Sequence, residues 1–334
     1  MLRTFEFGKP DKIPVVYHPS TAGLHVHGQK LLDLFRAFPP DNPIKFDQLP
    51  EPKPSTLVNG RYHEERTDEW GVVWEYLVYG IQGQVKRHPL AEYKDFTSYS
   101  FPAVPPVDSP AATRYRQMIQ EWKKDYLVIR GEISLFEKFQ TLHPMEEVLM
   151  EMYERDEEFL MVLDQLTDRM EAEVDFQIQS GVDVIQFMDD WGLQERPMIS
   201  LELFREIYRP RYKHLFDRVH HAGRKVFFHS CGFLGPILEE LIDLGIDGIW
   251  HQANRYDMKQ FALKCREHNI AAYLHPDRQY LVPFGKPSQI REKIREYAET
   301  YHALGGGGIF YIEIENDAPW ENVEALIRAV HEHR

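Results

Sequence analysis

Cysteine is nearly absent. The chain of 334 residues holds two, Cys231 and Cys265. A disulfide framework is therefore excluded, and a reducing cytoplasm is the expected setting. Basic blocks are absent too. With a net charge of −14 and no Lys/Arg-rich run, no nucleic-acid or anionic-membrane surface is expected. No uninterrupted apolar run approaches the length of a membrane span. The first residues, Met1 to Glu6, lack the apolar core of a signal peptide. No Gly-rich phosphate-binding fingerprint opens a helix, which removes the usual nucleotide-binding version of an open α/β sheet. What is present is a chain with 43% hydrophobic and 28% charged residues, enough for a sizeable core. Its length suits one large α/β domain or two small ones.

The clearest local signal is Lys225-Val226-Phe227-Phe228-His229-Ser230-Cys231-Gly232. Val226 to Phe228 is β-prone and reads as a buried strand between two helical patterns. Side chains alternate along a strand, so His229 and Cys231 point the same way and Ser230 points away. An imidazole and a thiol on one face at a strand end make half of a Zn²⁺ site. A core Cys beside a hydrogen-bonded His is the plainer reading of the same three residues, and the rest of the chain has to decide between them.

Residues 1–60 are Pro-rich. Ile13 to His18 reads as a first strand and Gln29 to Phe38 as a helix, with His18, His25 and His27 either on a pocket rim or in surface loop. Two segments, 68–76 and 83–90, read as a hairpin within an insertion at 61–110. From residue 111 the pattern becomes regular. Strands are expected at 126–131, 182–188, 226–231, 246–250, 270–274 and 308–314. Helices alternate with them at 111–123, 144–153, 156–180, 210–221, 234–244, 258–268, 288–304 and 320–332. Ser180-Gly181, Ala222-Gly223, Leu244-Gly245 and Leu304-Gly305 each join a helix to the next strand. Glycine there suits a left-handed helix terminus. Repeated helix-Gly-strand units imply parallel strands with right-handed crossovers. The seven strands so placed favour a (β/α)₈ TIM barrel, one domain over residues 1–334. The eighth strand is not placed.

In such barrels chemistry collects at the C-terminal strand ends. Those ends carry Asp189-Asp190, His229 and Cys231, His251-Gln252, His275-Pro276-Asp277, and Glu313 with Glu315. Adjacent Asp189 and Asp190 must diverge, so one of them faces the centre, and Asp190 is the candidate catalytic carboxylate. Glu313 and Glu315 share a face, and either is a candidate third, hard ligand beside His229 and Cys231. His251 and His275 are candidate acid/base groups. Cys265 completes an i, i+3, i+4, i+7 stripe with Met258, Phe261 and Ala262, and reads as helix core.

These residues carry a resemblance. The strand at 226–232, Asp189-Asp190-Trp191-Gly192, Pro210-Arg211-Tyr212, Leu281-Val282-Pro283-Phe284-Gly285 and Pro319-Trp320-Glu321-Asn322-Val323 resemble the uroporphyrinogen decarboxylase superfamily. Asp68-Glu69-Trp70-Gly71-Val72 is similar to an N-terminal signature of its methyltransferase-like members. The resemblance implies a distorted (β/α)₈ barrel with its cleft at the C-terminal strand ends. The decarboxylase arm is marked by an Arg-Gln-Ala-Gly-Arg stretch, which this sequence lacks. The other arm comprises zinc methyltransferases that exchange methyl groups between a small substrate and a cobalt corrinoid protein. That arm has His-x-Cys on this strand, matching His229 and Cys231, and usually a third ligand Cys on the last strand. Here Glu313 and Glu315 stand on that strand instead. A carboxylate keeps the ligand charge and hardens the metal, which suits a Lewis acid acting on an oxygen leaving group, as in demethylation of a methyl ether.

The expected function is thus zinc-dependent methyl transfer from a small methylated compound. The partner is a corrinoid-binding protein, and a homodimer is allowed. Decarboxylation of a small acid or a porphyrinogen-like substrate on the same barrel and a non-catalytic metal-binding barrel are the alternatives.

Overall fold

Short apolar runs that stop at polar residues form most of the parallel strands. The structure is a computed structural model that describes residues 1–334 except Pro19, Phe46, Lys94, Asp95 and Thr97. In chain order its strands are β1 Val15–His18, β2 Leu57–Val58, β3 Arg61–Tyr62, β4 Glu64–Thr67, β5 Val73–Tyr76, β6 Gln84–Arg87, β7 Ile129–Ile133, β8 Val184–Met188, β9 Lys225–Ser230, β10 Gly248–His251, β11 Ala271–Leu274 and β12 Gly308–Glu313. The chain divides into two compact units. One comprises Glu64–Glu75 and Gly83–Ile246. The other comprises Met1–His63, Tyr76–Gln82 and Asp247–Arg334.

In the first of these units β7, β8 and β9 run parallel, with β8 in the middle. Val226, Phe227 and Phe228 are all buried, as parallel strands covered on both faces require. The helix Glu157–Ser180 buries the stripe Phe159, Val162, Leu163, Leu166 and Met170. Its start is fixed by Asp156, whose carboxylate accepts from the backbone N–H groups of Glu158 and Phe159. Its end is Gly181 at φ +88°, the left-handed terminus expected from the sequence. A π-helical turn, Phe204–Tyr208, leads into the helix Arg209–His221. The wider turn rotates Phe204, Tyr208 and Tyr212 into one aromatic cluster with Trp191. Outside this sheet, β4, β5 and β6 make a small three-stranded sheet. The turn before β5 is built by Asp68, which accepts from the backbone of Trp70 and Val72 and from the Trp74 indole.

In the other unit β1, β12, β11 and β10 run parallel in that order. The register pairs His18 with Glu313, so both sit at the C-terminal ends of their strands. The helices Met258–Glu267, Pro287–Ala303 and Trp320–His333 alternate with these strands. Asn322 donates to the carbonyls of Val282 (2.9 Å) and Gly285 (2.8 Å), tying the last helix to the short helix Leu281–Phe284 that follows β11.

Among the described residues the parallel strands are these seven, within one or two residues of the expected positions except at 126–131. There the strand starts at Ile129. Gly131 takes φ +103° and the register shifts between Arg130 and Ile133, so the pairing slips toward the C-terminal side. Of the helices among the described residues that the sequence did not signal, two carry candidate site residues. Thr21–His27 is capped by Ser20, whose hydroxyl accepts from Gly23 N–H, and it carries His25 and His27. Phe136–Leu142 follows β7 directly. No helix among the described residues is long and apolar enough to cross a membrane.

Candidate metal centre

β8 and β9 run level, with Met188 opposite His229, so the residues after each strand emerge side by side. Alternation along β9 holds past its end. His229 Nε2 lies 3.6 Å from Cys231 Sγ, while Ser230 turns away and its Oγ accepts from Trp191 N–H at 2.9 Å. The two aspartates diverge. Asp190 Oδ1 accepts from the Cys231 backbone N–H at 2.7 Å and lies 3.5 Å from His229 Nε2. Asp190, His229 and Cys231 therefore each bring one donor atom into a single group, all within 4.8 Å of one another. Gly192 and Gly232 permit this approach. A Cβ on Gly232, which has φ +74°, would stand 2.1 Å from the Gly192 carbonyl oxygen.

Asp189 points into the core and is fully buried. It accepts from Ser134 Oγ (2.8 Å), from the backbone N–H groups of Leu135 (2.9 Å) and Glu137 (2.7 Å), and from the Tyr212 hydroxyl. Burial pushes its carboxyl up to about 6, against the four donors, which pull it down. Tyr212 in turn accepts from the Trp191 indole at 3.1 Å. The chain of bonds from Ser134 through Asp189 and Tyr212 to Trp191, and from the Trp191 backbone to Ser230, fixes the loop that carries Asp190 against the strand that carries His229.

Glu137, in the first turn of Phe136–Leu142, is a functional candidate that the sequence reading missed. Burial, followed by the negative charges of Asp190 and Asp189, pushes its carboxyl up to about 8. Ser134-x-x-Glu137 has the spacing of a helix-start signature, the one signal that pointed to this turn. Ser134 does serve the turn, since its Oγ accepts from Lys138 N–H at 2.9 Å.

The remaining candidates lie in the other unit. Glu313 gathers three cationic or imidazole groups: Arg278 Nη1 at 3.3 Å, His275 Nε2 at 3.8 Å and His18 Nε2 at 4.0 Å. Glu315 accepts from Ser20 Oγ at 2.8 Å, and burial raises its carboxyl above the usual range. The Trp250 indole donates to His275 Nδ1 at 3.1 Å. An indole N–H only donates, so Nδ1 accepts and the imidazole proton sits on Nε2, facing Glu313. His251 is buried and stacked flat on Phe261, with ring centroids 3.8 Å apart. Cys265 is helix core, as its spacing indicated, and burial pushes its thiol up to about 12.

Comparison with known proteins adds the family. Residues 140–333 match the family model "Uroporphyrinogen decarboxylase (URO-D)". A uroporphyrinogen decarboxylase of Magnetococcus marinus is 26% identical over 193 residues, which is 54% of this chain and 50% of that protein. The chain thus spans about half the length of the curated relative it matches. Among solved structures, a methyltransferase from Methanosarcina mazei is similar with a TM-score of 0.65 at 18% identity, covering 99% of this chain and 97% of its own. That likeness establishes the fold, an α/β fold of the TIM-barrel class. With a family match over more than half its length and that fold throughout, the chain belongs to the uroporphyrinogen decarboxylase family.

Proposed function

We propose that the chain is a zinc-dependent methyltransferase, moving a methyl group between a small methylated compound and a cobalt corrinoid carried by a partner protein. The observation that carries this reading is the spacing of the donor atoms. A tetrahedral Zn²⁺ with ordinary bonds sets its N and S ligands about 3.6 Å apart and its N and O ligands about 3.4 Å apart. His229 Nε2 stands 3.6 Å from Cys231 Sγ and 3.5 Å from Asp190 Oδ1. Imidazole, thiolate and carboxylate form a mixed donor set suited to that ion, and three protein ligands leave a position for substrate. In this reading Asp190 supplies the carboxylate, and the sequence-based assignment to Glu313 or Glu315 is the competing one.

Bound there, the metal supplies a Lewis acid that steadies negative charge on a departing heteroatom. The protein's own groups do the rest. Asp190 holds Cys231 through its backbone N–H. The Asp189 network keeps both strand ends in register. Glu137, whose carboxyl burial and the neighbouring aspartates push up, stands beside Asp190 as the candidate proton donor to a leaving group. His275 presents its Nε2–H as a neutral donor in its own cluster.

The second reading, decarboxylation of a small acid or a porphyrinogen-like substrate, is favoured by the name of the Magnetococcus relative. The test mixes zinc-loaded protein with a reduced corrinoid protein and a panel of methyl ethers, methylamines and methyl thioethers, following the cobalt spectrum. Alkylation of the cobalt by one of these donors supports the proposal. No change across the panel, with a corrinoid competent toward another methyltransferase, places decarboxylation ahead.

A further inference from the structure

A second group of metal-type ligands lies in the unit formed by Glu64–Glu75 and Gly83–Ile246, on other elements. His143 caps the C-terminal end of Phe136–Leu142, and Glu147 and Glu151 follow one and two turns later, on the helix Met145–Glu154. Their donor atoms all lie within 4.8 Å of one another.

The imidazole settles how the group is wired. His143 is 1% exposed. Its Nδ1 lies 2.6 Å from the Leu90 carbonyl oxygen. A carbonyl only accepts, so Nδ1 carries a proton. In the neutral ring Nε2 then presents a bare lone pair. It faces Glu151 Oε1 at 3.3 Å and Glu147 Oε2 at 3.6 Å. Electron-rich atoms gathered this closely call for a metal ion among them or a shared proton, on the ring or on Glu151, whose carboxyl burial raises. A second ring proton is one solution, but a charge-assisted N–H···O bond closes to about 2.7–2.9 Å. Both contacts here are longer, and they bracket the edge of about 3.4 Å that a tetrahedral ion with N and O ligands imposes.

The surroundings suit a metal ligand. A ligating histidine usually donates its other N–H to a carbonyl or carboxylate, and ligating carboxylates are themselves hydrogen-bonded. Leu90 serves His143 in this way. Tyr93 serves Glu151, donating its hydroxyl to Oε2 while its ring stacks on the imidazole at 4.6 Å. The Glu147 side chain is half exposed, which leaves an entry path and room for water.

We propose that His143, Glu147 and Glu151 bind a second divalent ion of the Zn²⁺ type. It would pin the segment around Leu90 and Tyr93 to the helix Met145–Glu154, and it is independent of the centre at His229 and Cys231.

The probe is Zn²⁺ alone, titrated by equilibrium dialysis into chelator-treated, full-length Cys231→Ala protein, which lacks the first centre. The expected result is uptake of about one ion per chain, weakened more than about tenfold by Glu151→Gln or by Glu147→Gln in that background. Glu147 is exposed enough for its glutamine variant to fold, and zinc should raise the Tm of the Cys231→Ala protein but not of the doubly substituted ones. No uptake by the Cys231→Ala protein overturns the proposal, with His143 then an imidazolium between two carboxylates. Uptake unchanged in both glutamine variants overturns it as well.

Discussion

Tyr212→Phe removes one hydroxyl from a site with no solvent. Tyr212, Asp189 and Trp191 are all fully buried, and Phe keeps the ring, so no cavity opens. Two bonds are lost: the one Tyr212 donates to Asp189 and the one it accepts from the Trp191 indole. A hydrogen bond to a charged group is worth about 1.5–3 kcal/mol, and a stranded buried N–H costs about 1–3 kcal/mol. The expected loss at pH 8 is about 3–5 kcal/mol. The pH dependence is the sharper test. Asp189 titrates near 6 in the fold, above its ordinary range near 4, so the native protein loses stability as pH rises through that window. The tyrosine hydroxyl favours the charged carboxylate. Without it the carboxyl moves higher still, and the penalty continues to grow above pH 6. At pH 5 the acid is neutral, and the variant should lose about 1–2 kcal/mol less than at pH 8. Urea unfolding at the two pH values measures both figures. A loss equal at pH 5 and pH 8, or one under about 0.5 kcal/mol, would refute the view that this network holds an ionised Asp189.

Glu137→Gln should stabilise chelator-treated protein progressively as pH rises between about 4 and 8, because the native carboxyl resists ionising until about 8. Thermal melts across that range check it, and parallel curves for the two proteins would contradict it. Trp250→Phe should free His275 from its fixed tautomer. Nitrogen-detected NMR at constant pH should show the proton on Nε2 in the native protein and shared between both nitrogens in the variant. Cys265→Ala should cost about 1 kcal/mol as a small core truncation and leave zinc content unchanged, which metal analysis beside a urea titration will show.

Much of this fold was legible because its signals are local. The stripe in Glu157–Ser180, the glycine that ends it and the apolar run of β9 each depend on neighbours in sequence. The pairing of His229 with Cys231 followed from strand alternation, and the divergence of Asp189 from Asp190 from their adjacency. What escaped depends on register and tertiary burial. Which carboxylate reaches His229 is set by the level alignment of β8 with β9, and no spacing within one segment reports that. Glu137 sits in a seven-residue helix too short for a periodic signal, and its raised proton affinity comes from burial beside two aspartates. The tautomer of His275 depends on an indole 25 residues away. Thr21–His27 gives little helical signal in the sequence, because its start rests on one serine cap and its apolar residues are few.

The proposed centre is tested most directly by zinc content at the first site. Zinc should be measured in the native protein and in the Cys231→Ala, Asp190→Asn, Glu313→Gln and Glu315→Gln variants, each in a Glu151→Gln background that silences the second group. About one ion per chain is expected in the otherwise native protein and in both Glu variants, with loss in Cys231→Ala and marked weakening in Asp190→Asn. Retention in Asp190→Asn with loss in Glu313→Gln or Glu315→Gln would return the third ligand to the last strand. Full occupancy in Cys231→Ala would contradict the centre itself.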